Sequence, residues 1–105
     1  MSTQNRLKKI AKLSNLKEGK SLSCDILDGL SIAIILKDGK VYAINNSCPH
    51  KMAPLSEGHL ENHAIVCPWH CWKFDITNGN CVSGQEAKLK TYEVIIKEDD
   101  IFIAL

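Results

Sequence analysis

Apolar residues along this chain come in short runs, parted by turn-forming residues at intervals of roughly ten positions. The punctuation is Glu18-Gly19-Lys20, Asp28-Gly29, Asp38-Gly39, Asn45-Asn46, Glu57-Gly58, Thr77-Asn78-Gly79, Ser83-Gly84 and Asp99-Asp100. Short β-favouring runs between such signals predict an all-β sandwich or barrel. The expected strands are Lys8–Lys12, Ser21–Leu27, Ser31–Lys37, Lys40–Ile44, Ala64–Cys67, Trp72–Asp75, Asn80–Ser83, Leu89–Ile96 and Ile101–Leu105. Asp38-Gly39 predicts a tight hairpin, because both central residues of such a turn adopt positive φ. A second hairpin is expected from Ile96 to Ile101 across Glu98-Asp99-Asp100. Leu7 to Leu16 also fits an amphipathic helix through Leu7, Ile10 and Ala11, but strand is preferred there.

Two stretches break the pattern. Asn46 to Leu60 holds two prolines, a cysteine and two histidines with no clean period. Cys67-Pro68-Trp69-His70-Cys71 also bears proline. Both read as rigid loops that carry function on a β scaffold.

Composition narrows the classes. The 105 residues suit one domain, taken as 1–105, and 45% apolar content suffices for a core. Thirteen basic against twelve acidic residues leave +1, which argues against nucleic-acid binding. The longest apolar runs, Ile32 to Leu36 and Ile101 to Leu105, are far short of the about 20 residues that span a bilayer. Met1 to Arg6 has no apolar signal core, so neither export nor membrane attachment is expected and the location is read as cytoplasmic.

Five cysteines is a high and odd number for such a chain. In a reducing compartment that argues for metal rather than a disulfide framework. Cys24 and Cys81 read as small buried hydrophobes. The sharper signal is Cys48-Pro49-His50 followed, after residues 51–66, by Cys67-Pro68-Trp69-His70. Each loop offers one soft thiolate and one imidazole, a donor set suited to iron or zinc. Each proline fixes its own φ and disfavours helix for the Cys before it, so both thiols sit on stiff extended backbone. A structural zinc site is the chemical rival, although zinc motifs usually pair Cys with Cys and His with His. A thiol oxidoreductase on Cys67 and Cys71 is a weaker one, since C-x3-C lacks the usual C-x-x-C spacing.

Cys48-Pro-His-Lys-Met-Ala-Pro-Leu55 and Cys67-Pro-Trp-His-Cys-Trp-Lys-Phe-Asp75 resemble the two cluster-binding loops of Rieske [2Fe–2S] proteins, above all the soluble Rieske-type ferredoxins. The resemblance extends weakly through residues 16–20, 38–46, 76–79 and 89–94. It implies a Rieske-like antiparallel β sandwich or barrel, with a small cluster-binding subdomain formed by loops at about 46–60 and 67–75. One cluster per chain is implied, Cys48 and Cys67 holding one iron and His50 and His70 the other. The implied function is a soluble one-electron carrier, a monomer. It would take electrons from a reductase, of flavoprotein type, and pass them to an acceptor such as a Rieske-type dioxygenase. A small subunit of a larger reductase, of nitrite reductase type, is the alternative, with a zinc-stabilised module behind it.

Differences from relatives bear on the site. High-potential relatives carry hydroxyl donors at the positions of Trp72 and Phe74, so a potential low in the Rieske range is expected. They also clamp their loops with a disulfide whose partners would fall near Ala53 and Trp69, neither of which is Cys. The family usually has Gly where this chain has Met52 and Cys71; these fit if the backbone there is ordinary. A Cys71–Cys81 bridge is disfavoured, because a turn at Thr77-Asn78-Gly79 brings Cys81 near Asp75. Trp72 and Phe74 are expected to pack in the core and Trp69 to be partly exposed. Pro49, Met52, Pro54, Leu55 and Trp69 would form an apolar collar for docking partners. His59 and His63 read as surface histidines.

Overall fold

The computed structural model describes residues 7–27, 30–49, 53–69 and 71–104. Among the described residues ten strands form three antiparallel sheets. Strand β1 (Leu7–Lys12) pairs with β10 (Asp100–Ala104), which pairs with β9 (Val94–Lys97). The second sheet runs β2 (Ser21–Leu27), β3 (Leu30–Lys37), β4 (Lys40–Asn45) and β8 (Thr91–Tyr92). A small third sheet joins β5 (His59–Glu61), β6 (Ala64–Val66) and β7 (Lys73–Asp75). Single 3-10 turns lie at Leu13–Asn15 and Leu55–Glu57. No helix among the described residues is long and apolar enough to cross a membrane.

The unbroken apolar run Ile32 to Leu36 has a direct cause. Strand β3 is the middle of a stack, and Ile32, Ala33, Ile34 and Ile35 are all fully buried. Alternate side chains point to opposite faces of a strand. Ile32 and Ile34 therefore pack, with Ala43, against Ile10, Ile101 and Ile103 of the first sheet. Ala33, Ile35 and Ile44 pack on the other side against Ile65, Phe74, Ile76 and Leu89. Each buried Ile contributes roughly 1.5–3 kcal/mol relative to exposure.

The expected Asp38-Gly39 turn forms with φ of 53° and 78°, the geometry that Asp-Gly favours. The Glu18 carboxylate accepts the amides of Asp38 (2.6 Å) and Gly39 (3.2 Å), which hold its pKa below the usual carboxylate range. The last hairpin turns on Glu98-Asp99 alone, with Lys97 opposite Asp100, one residue tighter than expected.

Leu7 to Leu16 is strand followed by a 3-10 turn rather than helix. The predicted strand Leu89–Ile96 is two strands. Thr91–Tyr92 pairs with β4, and after Glu93 the chain leaves that sheet to pair with β10. Asn80–Ser83 makes only isolated bridges, Phe74 to Cys81 and Asn80 to Lys88, because its hydrogen bonds divide between β7 and the segment after it. Strand β5 was not expected; it has a single apolar residue, Leu60, and is defined by pairing with β6.

Gly79 is a position where the fold tolerates no side chain. Its φ is +81°, and a methyl there would overlap the Leu89 carbonyl. Its amide donates to Asp75 O (2.7 Å) and its carbonyl accepts from Leu89 (2.7 Å). Gly79→Ala is expected to cost about 2 kcal/mol or more, read as a lower midpoint in denaturant unfolding.

Candidate metal centre

The first loop leaves β4 and returns upon itself. Ser47 and Pro54 form an antiparallel bridge, and the Cys48 amide donates to Ala53 O (2.9 Å). The second loop joins β6 to β7, and the Cys67 amide donates to Trp72 O (2.8 Å). The two loops are thus closed in the same way: each opens on a Cys whose amide bonds the carbonyl five residues on. Proline follows each Cys and stiffens the segment. Cys48 is 0% exposed and Cys67 1% exposed, and both belong to one core cluster with Ala33, Leu55, Ile65 and Phe74.

That placement suits metal binding. A thiolate among apolar side chains is costly unless a cation stabilises it. Two stiff loops converge such thiols on one core. Their amides are spent closing the loops, so other amides must serve any bound sulfide. His50 and His70, the predicted imidazole donors, lie outside the described residues, as does Met52.

The first loop is anchored from below by Asn46, which is 5% exposed. Its amide donates to Ser31 O (2.9 Å), and its Nδ2 donates to Ser31 Oγ (3.1 Å). Its carbonyl accepts from the Leu55 amide (2.7 Å), and its Oδ1 accepts from the Ser56 amide (2.7 Å). Sequence reading placed Asn46 in a turn signal and gave it no role in the site. Gly58 then brings the loop's exit against β6: a methyl there would overlap the Val66 carbonyl, one residue before Cys67.

The second loop corrects an expectation. The backbone at Cys71 is not ordinary; its φ is +61°. Its amide donates to Cys67 O (3.2 Å), and the left-handed turn at Cys71 is what brings Trp72 O back to the Cys67 amide. Glycine meets that need without strain, and Cys does not.

Trp72 is half-buried and Phe74 fully buried, with ring centroids 6.4 Å apart, as expected of core packing. Trp69 is 64% exposed, and Pro49 and Pro68 are exposed. The collar is smaller than the sequence suggested. Leu55 is fully buried, because the 3-10 turn directs it into the core, and Pro54 is only partly exposed.

Charges near the loops are largely compensated. Lys73 Nζ lies 2.8 Å from Glu61 Oε1, and His59 Nε2 lies 3.3 Å from Glu61 Oε2. The Lys73 hydrogen bond leads in holding the Glu61 carboxyl below its usual range. His63 is exposed and pairs with Asp38 (3.3 Å). Cys24, Cys71 and Cys81 are free thiols. Burial pushes the Cys81 thiol up, but hydrogen bonds from Ser83 and the Gly84 and Gln85 backbone outweigh it and leave its pKa lowered.

The Rieske [2Fe-2S] domain family matches residues 6–93. This chain belongs to the Rieske [2Fe–2S] family. As a Rieske protein its cofactor is a [2Fe–2S] cluster, which sets aside the zinc alternative. It is similar to the ferredoxin component of the naphthalene 1,2-dioxygenase system of Pseudomonas putida, 34% identical over 94 residues that cover 89% of each chain. It is also similar to the 3-phenylpropionate/cinnamic acid dioxygenase ferredoxin subunit of Shigella flexneri, 38% identical over 96 residues covering 89% of this chain and 88% of the relative. Among solved structures it is similar to a chain in the complex of reduced oxygenase and oxidized ferredoxin in carbazole 1,9a-dioxygenase. There the TM-score is 0.87 at 27% identity, over 93% of this chain and 92% of the other. The Rieske fold and the ferredoxin class of electron carrier, expected from the two loops, are thereby shown.

Relief of the strain at position 71 gives a direct test. Cys71→Gly is expected to stabilise the cluster-loaded protein by about 0.5–1 kcal/mol, after allowing for the greater freedom of Gly in the unfolded chain. A raised thermal midpoint would show it; a lowered one would mean that the Cys71 side chain makes a compensating contact.

Proposed function

We propose that Cys48, His50, Cys67 and His70 hold the cluster, the thiolates on one iron and the imidazoles on the other. In this reading residues 1–105 form one domain with one cluster, a cytoplasmic monomer that accepts single electrons from a flavoprotein reductase. It delivers them to a Rieske-type ring-hydroxylating oxygenase. The observation that carries the reading is the matched closure of two loops, each opening on a buried Cys followed by Pro. The bound cluster supplies a one-electron redox couple. The chain supplies stiff loops, an apolar wall of Phe74, Leu55 and Ile65 beneath them, and an exposed rim.

The oxygenase partner is supported by relatives whose names place them in dioxygenase systems, and by the ferredoxin–oxygenase complex that shares this fold. The rim suits brief docking. Pro49, Pro68 and Trp69 are exposed next to the proposed ligands, and an exposed Trp is a frequent anchor of protein interfaces.

The wall bears on the potential. Trp72 and Phe74 stand where hydroxyl donors would stabilise the reduced state, and neither has a hydroxyl. A midpoint in the lower half of the Rieske span of about −150 to +300 mV is expected from a redox titration.

Ligand assignment is tested by Cys48→Ser and Cys67→Ser. Each is expected to lose the cluster, shown by iron and sulfide analysis and by loss of the EPR signal of the dithionite-reduced protein. Docking is tested by Trp69→Ala. Its midpoint should stay at the wild-type value while electron transfer to the oxygenase slows about tenfold, the equivalent of ~1.4 kcal/mol at an interface hot spot. An unchanged rate would remove Trp69 from the docking surface.

A further inference from the structure

We infer that Asn46 is the positioning residue for the first cluster-binding loop, fixing the attitude of Cys48 relative to the sheet beneath it. The inference rests on the proposed ligand role of Cys48. Asn46 is the one buried polar residue found among the described residues, against eighteen buried apolar ones. Burying an amide side chain is unfavourable unless its polar atoms are bonded. Here both the amide nitrogen and the amide oxygen have partners, on different elements. Nδ2 reaches down to Ser31 Oγ at the start of β3, and Oδ1 reaches across the loop to the Ser56 amide. The backbone of the same residue repeats the pattern, with N–H to Ser31 O and C=O from Leu55 N–H.

The consequence is geometric. Cys48 lies between the outgoing limb of the loop, held at Asn46, and the returning limb, held at Leu55 and Ser56. The rungs within the loop, Ser47 to Pro54 and Cys48 to Ala53, keep its limbs together. By themselves those rungs would not stop the loop from tilting as a unit. Asn46 ties both limbs to β3, and the Ser21 hydroxyl of β2 adds a bond to Ser56 O (2.8 Å). A tilt of the loop would carry Cys48 Sγ with it, while Cys67 stays with β6 and β7. Asn46 therefore controls the position of one candidate thiolate relative to the other. A residue serving only general stability would not need to span both limbs and the sheet.

The test uses the cluster-loaded full chain and four variants. Asn46→Ala removes both side-chain bonds, and Ser31→Ala removes only the Nδ2 bond. Ile103→Ala, in the opposite core, is the stability control, and Cys48→Ser is the ligand control. The readouts are iron release to a chelator, the g-values of the reduced protein, the midpoint potential and the thermal midpoint. Asn46→Ala is expected to release iron about tenfold faster than wild type, equivalent to ~1.4 kcal/mol, with shifted g-values and midpoint potential. Ser31→Ala should shift the same quantities in the same direction by less, and it decides the matter if Asn46→Ala does not fold. Ile103→Ala should lower the thermal midpoint and leave g-values and potential at wild type. The inference is overturned if the two loop variants keep wild-type g-values, potential and iron-release rate, or if Ile103→Ala moves them equally. A Cys48→Ser protein that keeps the wild-type spectrum overturns the ligand reading itself. Cluster loss in Cys48→Ser beside an unchanged Asn46→Ala overturns the Asn46 inference alone.

Discussion

Strand β3 must be buried on both faces, and the rest of the molecule is arranged to bury it. Four consecutive side chains, Ile32 to Ile35, have no exposure at all. The first sheet covers Ile32 and Ile34. Ala33 and Ile35 need a cover of another kind, and the two loops with the small third sheet provide it. The site is therefore not appended to a finished fold. Cys48, Leu55, Cys67 and Phe74 are four of the eleven buried residues of this core cluster, so the two loops and the core depend on each other. Metal binding and folding are commonly linked in this way.

This arrangement explains which parts were legible in the sequence. A run of five apolar residues flanked by Ser31 and Lys37 could only be a strand buried on both sides or a buried helix, and the Asp38-Gly39 turn decided for strand. The two Cys-Pro loops were legible because their chemistry is written in side chains. What escaped was set by partners distant in sequence. Strand β5 exists because β6 pairs with it. The break at Glu93 exists because Tyr92 belongs to β4 and Val94 to β10. Leu55 looked like a rim residue until the 3-10 turn placed it inward. No local signal in Asn45-Asn46 distinguishes the Asn that caps a turn from the Asn that anchors a loop. Asn45 does the first, accepting the Ser47 amide at 2.8 Å, and Asn46 the second.

The two loops reach the same closure by unequal means. The first is held from outside, by Asn46 and by the close approach of Gly58 to Val66. The second is held by its own backbone, with Cys71 at positive φ where the chain turns back to bring Trp72 O to the Cys67 amide. Strain at a functional loop persists only where neighbouring contacts over-determine it. Here Cys67 to Trp72 on one side and the bonding of Lys73 to Val82 and Ser83 on the other do so.

Stiffness has a functional meaning for an electron carrier. A one-electron couple works best when its surroundings change little between oxidation states, because reorganisation adds to the barrier; preorganised dipoles incur little such cost. Prolines after both cysteines, a fully buried apolar wall and two closed loops all suppress movement. The exposed indole of Trp69 is the exception, a large side chain left in water beside the second loop. A rigid centre with an exposed apolar rim suits the proposed brief docking of partners. Compensation of Lys73 by Glu61, and a net charge of +1, keep long-range attraction weak. In the proposed reading, recognition then falls to short-range contact around the two loops, where a partner would come close enough to receive an electron.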